Sequence, residues 1–231
     1  MTLNTLFAMC KIYLALFASI FALMSCQHTP EKFVINGEVS DHSCDGAKIF
    51  LVPLTEEATH ETVDSVVIKD AKFTFEGTKT QIAALRLQMP QRVKFQELLV
   101  YTEPGIITAK VAPVGRVTGT KCNDLLQSWK ETQESCMASR ARILEETHHD
   151  INSLAYHHVV DSLNSVMGEA TYKLIKEGGM SPFTRFFYFG NRSNLTDKQR
   201  SDLQHMEDDY QHQLDSLRKV AAERHAQRTQ N

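Results

Sequence analysis

Ten histidines make a metal centre the first chemistry to look for. His205, Asp209 and His212 stand at i, i+4 and i+7, so on a helix two imidazoles and one carboxylate share a face, a donor set suited to a first-row transition ion. The same face flanks the apolar positions Leu203, Met206 and Tyr210 in a heavily charged stretch, which is how a solvated helix flank reads; neither a metal nor any other cofactor is expected. His148-His149 and His157-His158 are nine residues apart, which puts the pairs on opposite sides of a straight helix, so they are not one site. Ser65, Ser162 and Ser216 each follow Asp and precede an apolar residue, yet none lies in a G-x-S-x-G nucleophile elbow. The five cysteines, at 10, 26, 44, 122 and 136, contain no C-x-x-C and no metal-ligand spacing. Cys44 and Cys122 both adjoin turn-like sequence and form the candidate disulfide. With no catalytic constellation, an enzyme is not expected.

Cys26 has a different context. It ends an apolar run, Ile12 to Met24, that follows the lone cation Lys11 and precedes the polar, helix-averse Gln27-His28-Thr29-Pro30-Glu31. The uncharged run has the length of a secretory h-region and is short for a spanning helix. Leu23-Met24-Ser25-Cys26 resembles the bacterial lipobox, in which the cysteine is acylated and the chain is cut just before it. Residues 1–25 are then a lipoprotein signal peptide, 26–32 a tether, and Cys26 the lipidated first residue of the mature protein. Several acyl chains exceed the two-signal threshold for stable attachment. The rival is an uncleaved signal anchor, against which Pro30 and the lack of a basic stop-transfer cluster weigh.

Cleavage leaves roughly two hundred residues, enough to bury a core. A formal charge of −3 from 25 Lys and Arg against 28 Asp and Glu supplies no electrostatic footprint for nucleic acid. From Phe33 to about Thr118 short β-rich runs are separated by turn residues. The clearest is Lys72-Phe73-Thr74-Phe75-Glu76, whose rings alternate onto one face; others are centred on Ile35, Phe50, Val66, Leu85, Leu98 and Ile107. Seven or eight strands at this spacing predict an antiparallel β-sandwich over 33–122. After Asn123 the period becomes helical through Leu126, Trp129, Cys136, Ile143, Leu154, Leu163 and Val166, with one break. Gly178-Gly179 ends this region, Ser181-Pro182 caps a short helix with five aromatic rings between Phe183 and Phe189, and Thr196-x-x-Gln199 opens a final helix. Those rings read first as packing, with a docking surface as the alternative. The fold class is therefore α+β, the sandwich being followed by a helical region over 123–231.

Phe33-x-Ile35-x-Gly37, Val63-Asp64-Ser65-x-x-Ile68-x-Asp70-Ala71-Lys72-Phe73-x-Phe75-x-Gly77, Glu103-Pro104-Gly105-x-Ile107 and Val117-x-Gly119-Thr120-x-x-Asn123 stand in this order in the chain. The set resembles the domain of unknown function that precedes the thioredoxin-like domain in lipoproteins of Bacteroidetes. The resemblance covers roughly 33–130, and the helices to about 228 look like the connector to the redox domain. Ala71 departs from it, since the family usually carries Gly after the Asp, where positive φ is cheap. The redox domain and its C-x-x-C are not in this sequence, so the resemblance implies no catalytic residue here. Asp64-Ser65-Val66, Asp161-Ser162-Leu163 and Asp215-Ser216-Leu217 also resemble the short O-glycosylation signal of Bacteroidetes envelope proteins.

The expectation is a lipid-anchored envelope protein acting as a non-catalytic interaction or scaffold module, at the periplasmic face of the outer membrane, with the cell surface and the inner membrane as alternatives. Its expected partners are the membrane and a thioredoxin-like or other envelope protein. The rivals are an accessory component of a thiol-disulfide oxidoreductase system whose redox domain is on a separate chain, and a glycan-binding lipoprotein. Trp129, the single tryptophan, offers little platform for the last.

Overall fold

The computed structural model describes residues 32–87 and 97–229. The signal peptide, Cys26 and the tether up to Glu31 lie outside these residues, as do Phe95 and Gln96. Among the described residues eight strands precede four helices, as the two sequence periods predict: β1 Phe33–Val39, β2 Lys48–Pro53, β3 Asp64–Val67, β4 Lys72–Gly77, β5 Ile82–Leu87, β6 Leu98–Tyr101, β7 Gly105–Val111 and β8 Arg116–Thr118, then α1 Lys121–Glu146, α2 Leu154–Gly178, α3 Pro182–Asn191 and α4 Asp197–Thr229. The strands form two four-stranded sheets, ordered β4-β1-β7-β8 and β3-β2-β5-β6. Every ladder between named strands is antiparallel except one. β1 and β7 run parallel from Phe33↔Gly105 to Val39↔Val111, a pairing between segments far apart in the chain that strand alternation cannot announce.

The alternation in β4 buries Phe73 and Phe75 and exposes Lys72, Thr74 and Glu76. Its partner β1 repeats the motif in the opposite direction, and the register sets Phe33 opposite Gly77 and Gly37 opposite Phe73. Each ring lies over the glycine across from it. A Cβ on Gly37 would come within 2.0 Å of the Phe73 ring, and one on Gly77 within 2.7 Å of Phe33. The two F-x-hydrophobic-x-G motifs are thus one interlocked pair that fixes register.

Asp70 and Ala71 carry the chain from one sheet to the other. Lys69 and Lys72 exchange both backbone hydrogen bonds, and the two residues between them have φ of 53° and 58°. This is the two-residue geometry that normally takes Asp-Gly or Asn-Gly, held here with alanine in the glycine position. Both backbone groups of Ala71 are tied down: its N–H donates to Asp45 Oδ1 at 2.7 Å, and its carbonyl accepts from Val39 N–H at 2.8 Å.

The edges β6 and β8, one from each sheet, are both closed by α1. Asn123, fully buried, accepts the Tyr101 N–H through Oδ1 at 2.9 Å and donates through Nδ2 to the Tyr101 carbonyl at 2.8 Å, so its carboxamide extends the β6 ladder. One turn on, Gln127 Oε1 accepts the Val117 N–H of β8 at 3.0 Å. Glu103 caps the helix from outside it, its Oε1 accepting the Cys122 N–H at 2.6 Å, where a carboxylate also meets the positive end of the helix dipole. A buried apolar cluster then runs without interruption from Ile35 and Phe75 in the sheets to Leu126, Ile175, Phe187 and Leu203 in the helices, so the change of period at Asn123 does not divide the core.

The break between α1 and α2 falls at His148 and His149, both at positive φ. The His149 N–H turns back to the Leu144 carbonyl at 2.8 Å, and Ser153 caps α2 by accepting the Tyr156 N–H. His148-His149 thus form the break itself and His157-His158 lie within α2, so the two pairs do not share one straight helix. Gly178 is the last residue of α2, with Gly179 at φ 70°. Ser181 and Thr184 form a reciprocal capping box with Pro182 in the first turn of α3, and Thr196 and Gln199 exchange bonds at the start of α4.

Two outcomes follow for stability. Ala71→Gly is expected to stabilise the fold by up to about 1 kcal/mol, seen as a higher urea midpoint, because glycine accepts φ near 58° without strain; a lower midpoint would show that the buried methyl outweighs the strain. Asn123→Ala leaves the Tyr101 N–H unpaired beneath α1, while the Tyr101 carbonyl keeps the Glu103 N–H, which should cost about 1–3 kcal/mol in the same titration. A neutral result would mean that α1 does not hold the β6 edge.

Candidate functional site

The three described thiols are free, and the Cys44–Cys122 pairing expected from the sequence is not made. Their surroundings differ. Cys44 is buried in a short 3₁₀ turn between Asp41 and Asp45, whereas Cys122 sits in the first turn of α1 beside Glu103 and Tyr101. Burial pushes the Cys122 thiol up to about 12, helped by the Glu103 carboxylate, and burial likewise takes the Tyr101 phenol to about 12. Burial also raises Cys44 and Cys136. Each is held as the protonated thiol at neutral pH, the reverse of the electropositive setting that makes a cysteine nucleophilic.

His205, Asp209 and His212 lie exposed on α4, and no group of three or more His, Cys, Asp or Glu among the described residues is arranged to hold a metal. Ser65, Ser162 and Ser216 are all exposed, the first on β3 and the others on α2 and α4. No helix among the described residues is long and apolar enough to cross a membrane.

The aromatic run divides as its helical spacing requires. Phe183, Phe187 and Tyr188 are buried, while Phe186 and Phe189 remain 39% and 54% exposed. The buried rings link sheet to helices in series: Tyr101 to Phe183 at 4.9 Å, Phe183 to Phe187 at 5.2 Å, and Phe187 to Trp129 at 5.0 Å. Trp129 Nε1–H ends the series on Thr171 Oγ1 at 3.0 Å, which joins α1 to α2. A surface cleft of about 420 Å³ lies along these two helices, with Leu125, Trp129 and Leu174 in its lining and Lys121, Asp124 and Glu177 among its charges. Its ionic groups are of both signs, and Asp124 is already used by the Gly119 N–H.

The other surface feature is α4. Its first turns are tied to the body: Asp202 accepts from the Tyr172 hydroxyl and from Lys176, and these hydrogen bonds hold its carboxyl below the ordinary range. Arg185 Nε lies 2.9 Å from both oxygens of the buried Glu207, and its guanidinium stacks on Phe189 and Tyr210. Beyond Glu207 the helix has no further buried residue as far as Gln227, and Leu217 is 67% exposed. Where it leaves the body there is a notch of about 220 Å³ lined by Met180, Met206, Asp209, Tyr210 and Gln213.

Sequence reasoning placed Glu103 and Asn123 in motifs without assigning either a contact, and did not single out Gln127 or the Arg185–Glu207 pair. A usable signal was there: Asn123 and Gln127 sit four apart on the same side as Leu126 and Trp129, the buried side of α1.

The raised thiol and phenol have a pH consequence. A group whose folded pKa lies above its unfolded value holds its proton more tightly in the folded state. Its contribution is intact below the ordinary thiol value of 9.0 and is lost as pH climbs toward 12. Stability should therefore fall across that alkaline window, and Cys122→Ser should flatten some of the fall in urea titrations taken from pH 8 upward, roughly to pH 11. An unchanged slope would show that Cys122 ionises as freely in the folded chain as in the unfolded one.

Comparison with curated proteins and with solved structures gives no match. Residues 33–126, from the first residue of β1 to one turn into α1, match the family described as Domain of unknown function (DUF4369).

Proposed function

We propose that the chain is an envelope lipoprotein anchored through Cys26, whose sandwich and helices act as a non-catalytic interaction module. The observation that carries the second half of this reading is α4: a body with a fully assembled core extends a helix of 33 residues, and its outer portion keeps Leu217 and Val220 in solvent. Apolar positions in line on a helix without a body beneath them offer a contact surface. The anchor half is supported by the Leu23-Met24-Ser25-Cys26 context. A tether of seven residues, 26–32, would reach at most about 25 Å, so the sandwich end that begins at Phe33 would lie close to the lipid.

The accessory reading has one observation in its favour. The motifs that resemble domains preceding thioredoxin-like domains fall largely within the segment of the family match. In such a system this chain would supply anchor and docking surface while a separate chain supplied the thiolate.

Replacing Cys26→Ala is expected to stop both acylation and signal cleavage. Unchanged palmitate labelling at the same mature mass would sink the anchor assignment. The purified protein is expected not to catalyse insulin reduction, and a turnover abolished by Cys44→Ala or Cys136→Ala would overturn the non-catalytic reading.

A further inference from the structure

We propose that the outer portion of α4 pairs antiparallel with the same helix of a second copy of this chain. The inference rests on the interaction-module reading and names the partner. Met206, Tyr210, Gln213, Leu217, Val220 and Arg224 follow one another at alternating steps of four and three, the spacing that places residues along one seam of a paired helix. The first two are half-buried against the body, whereas Leu217 and Val220 are 67% and 44% exposed and Arg224 is exposed. In a helix pair an arginine in line with apolar residues lies on the seam, where an acidic, apolar-walled receptor matches it.

The notch at the base of the same helix has that chemistry. Met180, Met206 and Tyr210 supply walls for the aliphatic stem, and the Asp209 carboxylate has neither a hydrogen bond nor an ion pair among the described residues. Tyr210 already takes one guanidinium, with Arg185 at 5.8 Å from its ring centre. Within one molecule Arg224 lies fifteen residues beyond Asp209 on one continuous helix, about 22 Å along the axis, so it cannot reach the notch of its own chain.

An antiparallel pair about a two-fold axis brings each Arg224 to the other copy's notch. Leu217 of one copy then meets Val220 of the other, twice by symmetry, and Gln213 meets Arg224, with Asp209 one turn away. A parallel pair would set Arg224 against Arg224 and Asp209 against Asp209, and is disfavoured by charge. The seam is short, about four turns, so the contact is weak between free copies. Two copies tethered to one membrane meet at a much higher effective concentration.

The test uses the full-length chain in its own membranes. A tagged Leu217→Cys chain is co-expressed with a Val220→Cys chain, and disulfide cross-linking under mild oxidant is compared with Ala222→Cys, which lies on the other side of the helix. Cross-linking between positions 217 and 220 should exceed that at 222 by about tenfold, and Arg224→Asp should remove most of it. Adding Asp209→Arg to the Arg224→Asp chain should restore the yield, since the charges then pair in reverse; far-UV circular dichroism checks that the helix persists. Equal yields at 222, a stronger 217–217 than 217–220 product, or indifference to the charge reversal would each overturn the proposal. No cross-link in a chain that still carries palmitate at Cys26 rejects the pairing and leaves the anchored-module reading standing. A cross-link that survives Cys26→Ala supports the pairing independently of the anchor.

Discussion

Two buried carboxamides one helical turn apart, Asn123 and Gln127, settle how this chain closes. A two-sheet sandwich leaves edge strands whose backbone groups must be paired, exposed or covered, and covering them with an ordinary helix would strand them without partners. Here the helix itself supplies the missing donors and acceptors. Asn123 serves both backbone groups of Tyr101 on β6, and Gln127 takes the Val117 N–H on β8. Because the two amides sit on one face of α1, they can be satisfied together only when the edges of the two sheets come together beneath that helix. The axis of α1 is set by that requirement. The aromatic series from Tyr101 to Trp129 then fills the space behind the amides, and α2 and α3 are placed by it.

Much of this was readable in the residues, for local reasons. The β4 alternation, the Ser181-Pro182 cap, the Thr196–Gln199 capping box and the stop at Gly178-Gly179 depend on neighbours within a few positions, and each appears where its chemistry puts it. What stayed hidden depends on distant partners. The parallel β1–β7 ladder joins segments some seventy residues apart. The expected helix break falls at His148 and His149, where no Gly or Pro marks its position, and Ala71 takes a conformation its side chain resists because Asp45 and Val39 grip its backbone. At the candidate site, Cys26 lies outside the described residues, while on α4 the positions Leu203, Met206 and Tyr210 were legible as a periodicity but not as a surface. The inner residues of that helix are half-covered by the body and its outer ones are not, and periodicity is blind to that difference.

The reactive groups of the interior are engaged within it. Thiols kept protonated by burial, a tryptophan whose N–H is spent on Thr171, and ion pairs at the helix junctions all use their reactive capacity internally.

The parallel pairing of β1 has a mechanical side. β1 is an inner strand, bonded along its length to β4 on one side and β7 on the other. A pull on the segment that leads into Lys32 enters the fold along the axis of this strand. It must slide β1 against both neighbours at once, loading their hydrogen bonds in shear and dragging Phe33 past the Gly77 it covers. Had the chain entered through an edge strand pulled sideways, the same bonds would break singly, in succession. A fold suspended from one end by its first strand resists extension best when that strand is clamped on both sides, and here it is.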